Sequence, residues 1–235
     1  MNWVGKSRAL AIGPRIPTRR ADSAVPAVAP NRSAENFRLS NGLKDFLWLI
    51  EDVEHGRLLD LGPIWQATLT FFVERGFRLT TEDILRSWKE YANAEEDKMR
   101  RTPPGEQAEA LSPDEMAAHF LQYALQYPPE EFHAVLAWDI FDYLSADLMH
   151  RVAGRLHEIV RPGGAVLGLF HSRPPEKFHR YRIVDHQTIE TIPAMALGGH
   201  KRVFQNREIL NLFGQFKSAK TFVGRDQLRE GLFIR

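Results

Sequence analysis

The chain has 235 residues, of which 43% are hydrophobic and 26% charged, the material of an ordinary globular protein with a sizeable core. A formal net charge of +1 argues against electrostatic capture of nucleic acid by the chain as a whole. The absence of cysteine excludes a disulfide scaffold, a zinc ribbon and a thiol nucleophile, and no apolar run reaches the roughly 18 residues of a membrane span.

Residues 1–38 carry seven cations against Asp22 and Glu35, with Pro14, Pro17, Pro26 and Pro30 among Ala, Ser and Arg. Such a segment buries too little to offset its ordering entropy, and it reads as a flexible basic tail. The first residues lack the apolar core of a secretory signal, so a cytoplasmic protein is expected. A folded domain is expected over 39–235, opening near Ser40. Ser40 or Asn41 can cap a helix with Leu43, Phe46, Leu47, Ile50 and Val53 on one face, stopped by Gly56 in a left-handed turn. Arg57–Gly62 reads as a buried strand and turn, and Leu69, Phe72 and Val73 as the inner face of a helix closed by Gly76. A second strand then runs from Phe77 to Thr81.

Residues 84–131 differ in character, with ten acids against five cations and helical spacing of Ile84, Leu85, Trp88 and Tyr91, then Met116, Phe120, Leu121, Ala124 and Leu125. Thr102–Gly105 breaks the pattern, so two helices around a loop are expected, without a strand. Phe132–Trp138 is a buried strand ending at Asp139, and Ser145 caps a helix carrying Leu148, Val152, Leu156, Ile159 and Val160. Arg161-Pro162-Gly163-Gly164 turns the chain into a strand over Ala165–Phe170. Residues 171–205 read as loops with a short β excursion near Tyr181–Val184. Asn206 can cap a short helix, and Ser218–Val223 and Gln227–Ile234 form a hairpin through Gly224-Arg225-Asp226. Strands alternating with helices imply an α/β fold with a mostly parallel sheet and an antiparallel hairpin at its end.

That element order, together with Leu58-Leu59-Asp60-Leu61-Gly62, Glu74-Arg75-Gly76, Asp83, the Arg-Pro-Gly-Gly turn and Arg229-Glu230 with Leu232-Phe233, resembles the class I S-adenosylmethionine-dependent methyltransferases. The resemblance covers residues 41–235 apart from the acidic helical insert at 84–131. It implies a Rossmann-like fold with S-adenosylmethionine as cofactor, while the helical spacing at 84–131 reads as that fold's third strand missing or replaced by helix. It places Asp60 and Gly62 in the turn beside the cofactor's methionine end. Asp83, 21 residues beyond Gly62, falls on the acid that holds the ribose hydroxyls, near the ~20 expected. Trp65 would pack on the sulfonium, since cations favour aromatic faces.

Two departures fall on that site. Ile64 and Gln66 stand where the family carries glycines, which strains the turn or forces another, and their side chains would compete with the cofactor. The insert replaces the strand that helps to hold adenine. Two functions follow: methyl transfer to a small-molecule or protein acceptor, or a methyltransferase-like scaffold that has lost the cofactor. In the enzyme, Asp139 is the first candidate base beside the acceptor and His171 the second.

Each residue also has a structural explanation. Asp60 and Asp139 can cap turns, Asp83 can cap the helix starting at Ile84, and Trp65 can fill a gap. No metal site is expected: His150 and His157 lie two helical turns (~10 Å) apart, and His179 and His186 lack a carboxylate cluster at ligand spacing. The hairpin edge and the insert are expected surfaces for a protein partner or homo-oligomer.

Overall fold

The computed structural model describes residues 36–102, 111–224 and 226–235. Residues 1–35 of the flexible tail expected over 1–38, Pro103–Gly105 of the expected break, and Arg225 in the last hairpin lie outside the described residues. Elements follow in chain order: β1 Phe37–Leu39, α1 Asn41–Leu49, β2 Arg57–Asp60, α2 Gln66–Val73, β3 Arg78–Thr81, α3 Ile84–Arg101, α4 Pro113–Phe120, β4 Phe132–Trp138, α5 Ala146–Ile159, β5 Val160–His171, β6 His179–Ile183, β7 Thr188–Pro193, α6 Asn206–Leu212, β8 Ser218–Val223 and β9 Leu228–Ile234. A 3-10 turn over Ile140–Asp142 follows β4.

The main sheet has the order β3-β2-β4-β5-β9-β8. Its first four strands are parallel, and β9 alone runs the other way, antiparallel to both β5 and β8. This mostly parallel order is Rossmann-like, and among the described residues no strand lies beyond β3. In its place α3 begins directly after β3 and packs Ile84 and Leu85 into the core, while Trp88 and Tyr91 stack near Phe120 of α4. A helix satisfies its own backbone hydrogen bonds, so β3 becomes the sheet edge without disturbing the strands inside it.

Period-two alternation divides the core. Leu59, Val135, Ala137 and Val166 face α3, α4, α5 and α6, whereas Leu58, Ala134, Leu136, Ala165 and Leu167 face α1, α2 and the strands β6 and β7. The helix caps follow local chemistry. Ser40 Oγ accepts from Leu43 N at 2.9 Å, Ser112 forms a capping box with Glu115, and Ser145 Oγ accepts from Leu148 N at 3.5 Å. Gly76 closes α2 at φ 81.

Several local expectations are corrected. The chain enters the fold before Ser40: Phe37–Leu39, at the end of the expected tail, pairs with β7, which reads as loop, and β7 pairs with β6, where a β excursion is expected, to make a second, antiparallel three-stranded sheet. After α1 the left-handed residue is His55 (φ 54), not Gly56. Gly56 is needed for close approach, because a Cβ there would fall 2.2 Å from Phe77 Cε1. The Arg-Pro-Gly-Gly segment is no separate turn but an irregular start to β5, with the register against β4 shifting between Phe132 and Ala134. Gln205, rather than Asn206, caps α6 through a capping box with Glu208.

A buried ion pair ties the two sheets together. Arg38 of β1 lies 2.8 Å from Glu230 of β9, with side chains only 8% and 3% exposed. The second carboxylate oxygen of Glu230 accepts from Gly42 N at the start of α1. Removing one member leaves an uncompensated buried charge. Arg38→Met is therefore expected to lower unfolding free energy by about 3–5 kcal/mol in urea denaturation, whereas Lys220→Met, at an exposed pair with Asp45, costs under about 1 kcal/mol.

Candidate functional site

Because β2, β3, β4 and β5 are parallel, their carboxyl ends open on one edge, where α/β sheets bind ligands. Asp60 ends β2, Asp83 follows β3, Asp139 follows β4 and His171 ends β5. All four residues singled out at strand ends thus share one rim.

Asp60 is buried, at 1% exposure. Its Oδ1 accepts from Gly62 N at 2.9 Å and from Trp138 Nε1 at 2.6 Å, while Oδ2 is buried with no hydrogen-bond partner among the described residues. Burial pushes its pKa from 3.8 up to about 7, opposed by those two hydrogen bonds and reinforced by the charge of Asp83. Trp138 sits at φ 49, a left-handed conformation unusual for a bulky residue, at a shift in the β4–β5 register. That backbone brings its indole against Gly62, where a Cβ would lie 2.9 Å from Cδ1 and Nε1. The other face of the indole stacks on Tyr181, with centroids 5.8 Å apart and planes at 14°.

Ile64 and Gln66 behave differently from expectation. The turn from Gly62 to Gln66 contains no left-handed residue, Ile64 is 69% exposed, and the Gln66 side chain bonds Thr70 on the surface. Their side chains point outward, and the group lying over Gly62 is Trp138. Trp65 occupies the N-cap position of α2 without a capping hydrogen bond. Its ring meets the guanidinium of Arg182 at 5.8 Å, and its Nε1 is buried with no partner among the described residues.

Asp83 is doubly engaged. It accepts from Arg86 N at 3.2 Å as the cap of α3, and both carboxylate oxygens meet Arg180 Nη2, at 2.9 and 2.7 Å. Arg180 comes from β6, as do Tyr181 and Arg182, so one short strand supplies three groups to the rim. Thr68 of α2 holds that strand by accepting from Ile183 N at 3.0 Å.

Asp139 and His171 are brought together, with Oδ2 3.8 Å from Nδ1. Tyr181 Oη donates to Asp139 Oδ2 at 3.0 Å. Burial raises the Asp139 pKa to about 7; the His171 charge opposes that rise and the Asp142 charge adds to it. The same burial, with Asp139 alongside, pushes the Tyr181 hydroxyl well above its ordinary value. Asp142 Oδ2 accepts from both the backbone N–H and Nδ1 of His171, each at 2.7 Å, while His200 Nε2 lies 3.9 Å from the same oxygen. His171, His179 and Tyr181 line a cavity of about 310 Å³ on this edge, which also reaches Arg38 and Asp226.

Trp138, Asp142, Arg180, Tyr181 and His200 escape a reading of the sequence. Asp142 alone left a trace, since it follows Asp139 at a spacing that one tight helical turn brings together.

No family model matches the chain, and no curated protein matches it. Among solved structures it resembles the 1,6-didemethyltoxoflavin-N1-methyltransferase of Burkholderia thailandensis, crystallised with 1,6-didemethyltoxoflavin and S-adenosylhomocysteine, at 15% identity and TM-score 0.41 over 83% of this chain and 77% of that one. An S-adenosylmethionine-dependent methyltransferase from Mesorhizobium loti is similar at 14% identity and TM-score 0.43, covering 81% of this chain and 96% of the other. A SAM-dependent methyltransferase from Aquifex aeolicus is similar at 10% identity and TM-score 0.42, covering 83% and 90%. The fold assignment rests on the strand order.

The raised Asp60 pKa has a consequence for stability. A carboxyl that ionises near 7 when folded and 3.8 when unfolded holds its proton more tightly in the native state, so between those values stability falls as pH rises. Asp60→Asn keeps the acceptor for Gly62 and Trp138 and removes the ionisation. From pH 5 to pH 8 the wild-type chain is expected to lose about 2–3 kcal/mol relative to this variant, measured by paired urea titrations.

Proposed function

We propose that this chain is an S-adenosylmethionine-dependent methyltransferase acting on a small-molecule or protein acceptor. The observation that carries the reading is the buried, partnerless Oδ2 of Asp60 in the turn after β2, beside the Asp139–His171 pair at the ends of β4 and β5. An unmet acceptor in a dry site favours a ligand that brings a hydrogen-bond donor, and the cofactor's ammonium group is one. The residues fit the group at Asp60. At Asp83 they fit once Arg180 withdraws and both oxygens turn to the ribose hydroxyls.

When bound, S-adenosylmethionine supplies an electrophilic methyl group on a sulfonium. The chain's part is then positioning, the usual source of rate in such a displacement. Asp60 and Asp83 would hold the two ends of the cofactor, leaving its methyl group to an acceptor placed beside Asp139. The acceptor's proton passes to Asp139, whose carboxylate is oriented by the Tyr181 hydroxyl. His171, held by Asp142, stands beside Asp139 and favours its ionised form.

A second reading, a methyltransferase-like scaffold without cofactor, draws on a specific observation as well. Trp138 occupies the approach to Gly62, and Arg180 neutralises Asp83. Calorimetric titration separates the two. S-adenosylmethionine and S-adenosylhomocysteine are expected to bind the wild-type chain in the micromolar range. Arg180→Ala, which frees Asp83, is expected to tighten binding by about tenfold, the scale of one charge-assisted hydrogen bond. No heat from either chain at millimolar ligand would leave the scaffold reading.

A further inference from the structure

The cluster of Asp142, His171 and His200 carries two buried polar atoms that the methyl-transfer chemistry leaves unused. Asp142 is fully buried, and its Oδ1 has no hydrogen-bond partner among the described residues. His200 Nε2 is likewise buried and partnerless, although its side chain as a whole is 15% exposed. Leaving one such atom unmet is costly. Asp142 Oδ2 lies 2.7 Å from His171 Nδ1 and 3.9 Å from His200 Nε2, and one ligand atom from each of the three residues lies within 4.8 Å of the others.

Separate elements hold the three side chains in place. Asp142 closes the 3-10 turn after β4, and His171 is the last residue of β5. His200 lies on the stretch between β7 and α6, which is pinned to the same turn: the Asp142 carbonyl accepts from Lys201 N at 2.8 Å and Arg202 N at 3.4 Å. His200 also packs edge-on against Tyr143, at 5.5 Å between ring centroids, and against His171 at 5.8 Å. Asp142 Oδ2 is oriented by the His171 backbone N–H and also meets His171 Nδ1, so an ion bound between them would take the place of the Nδ1 proton. This is a built arrangement rather than a chance meeting of surface histidines.

We propose that Asp142, His171 and His200 form a binding site for a divalent first-row transition metal. Two imidazoles and one carboxylate favour zinc or iron over magnesium or calcium, whose sites are built from oxygen. Ligands at about 2.0–2.2 Å from one ion stand roughly 3–3.6 Å apart, so small side-chain rotations complete the site. Three protein ligands leave further positions for water or a ligand oxygen, and His171 also lines the cavity of about 310 Å³. Spacing along the sequence conceals the site because positions 142, 171 and 200 come from three different elements. The inference stands whether or not the chain transfers methyl groups.

The test is calorimetric titration of the full, chelator-treated chain with zinc chloride, with melting followed in parallel. One zinc per chain is expected to bind in the micromolar range or tighter and to raise the melting temperature. His200→Ala, on a stretch outside helix and sheet, is expected to keep the wild-type circular dichroism, to bind zinc at least about 10-fold more weakly and to lose the thermal shift. His200→Gln serves as a second variant of the same ligand. His150→Ala, at an exposed histidine on α5, is expected to bind as wild type. Absence of zinc binding, or binding undiminished in both His200 variants, overturns the proposal.

Discussion

Three carboxylates buried within two strand ends set the terms for this molecule. Asp60, Asp139 and Asp142 are 1%, 3% and 0% exposed, at the carboxyl ends of neighbouring strands. Carboxylates deprived of water must be protonated, paired or hydrogen-bonded, and each of these three accepts hydrogen bonds from buried partners. Asp60 draws the Trp138 indole across Gly62, Asp139 draws the Tyr181 hydroxyl from β6, and Asp142 takes both donors of His171. The second sheet is therefore more than decoration on an α/β core. Its strand β6 supplies the donor for Asp139 and the counter-charge for Asp83, and it stacks on the side chain that serves Asp60.

How much of this can be read from the chain depends on whether the signal is local. Caps such as Ser40 and Ser145, the buried runs of β2 and β4, and the left-handed stop at Gly76 are written in neighbouring residues and were legible. So was the helical character of 84–131, where period and charge agree. The strands β1 and β7 were not legible. Phe37–Leu39 is too short for an alternation to register, and its partners lie in a segment of mixed polarity whose strand character comes only from pairing. Gly56 and Gly163 were visible as glycines, but their reasons, a ring of Phe77 and an irregular strand start, are tertiary.

The rim divides the same way. Strand ends are predictable once strands are, which accounts for Asp60, Asp83, Asp139 and His171 standing at or just past the ends of β2, β3, β4 and β5. Their partners arrive from across the fold. The glycine-poor turn shows most clearly how a local rule is overridden. Ile64 and Gln66 avoid the strain that a left-handed turn would impose, because the backbone takes another course and sends both outward. The unusual backbone angle is found at Trp138 instead, at the end of the neighbouring strand β4, and the bulk of that residue closes over Gly62.

Arg38 and its neighbours in β1 also impose an order of assembly. Phe37 pairs with Glu190, and Arg38 is neutralised by Glu230, close to the last residue of the sequence. During synthesis β1 leaves the ribosome long before either partner exists. The parallel strands β2, β4 and β5 can associate while the chain is still growing, but β1 must wait, its backbone groups and its charge met only by water. The link between the two sheets is thus made only after β9 has been synthesised and its Glu230 meets Gly42 at the start of α1.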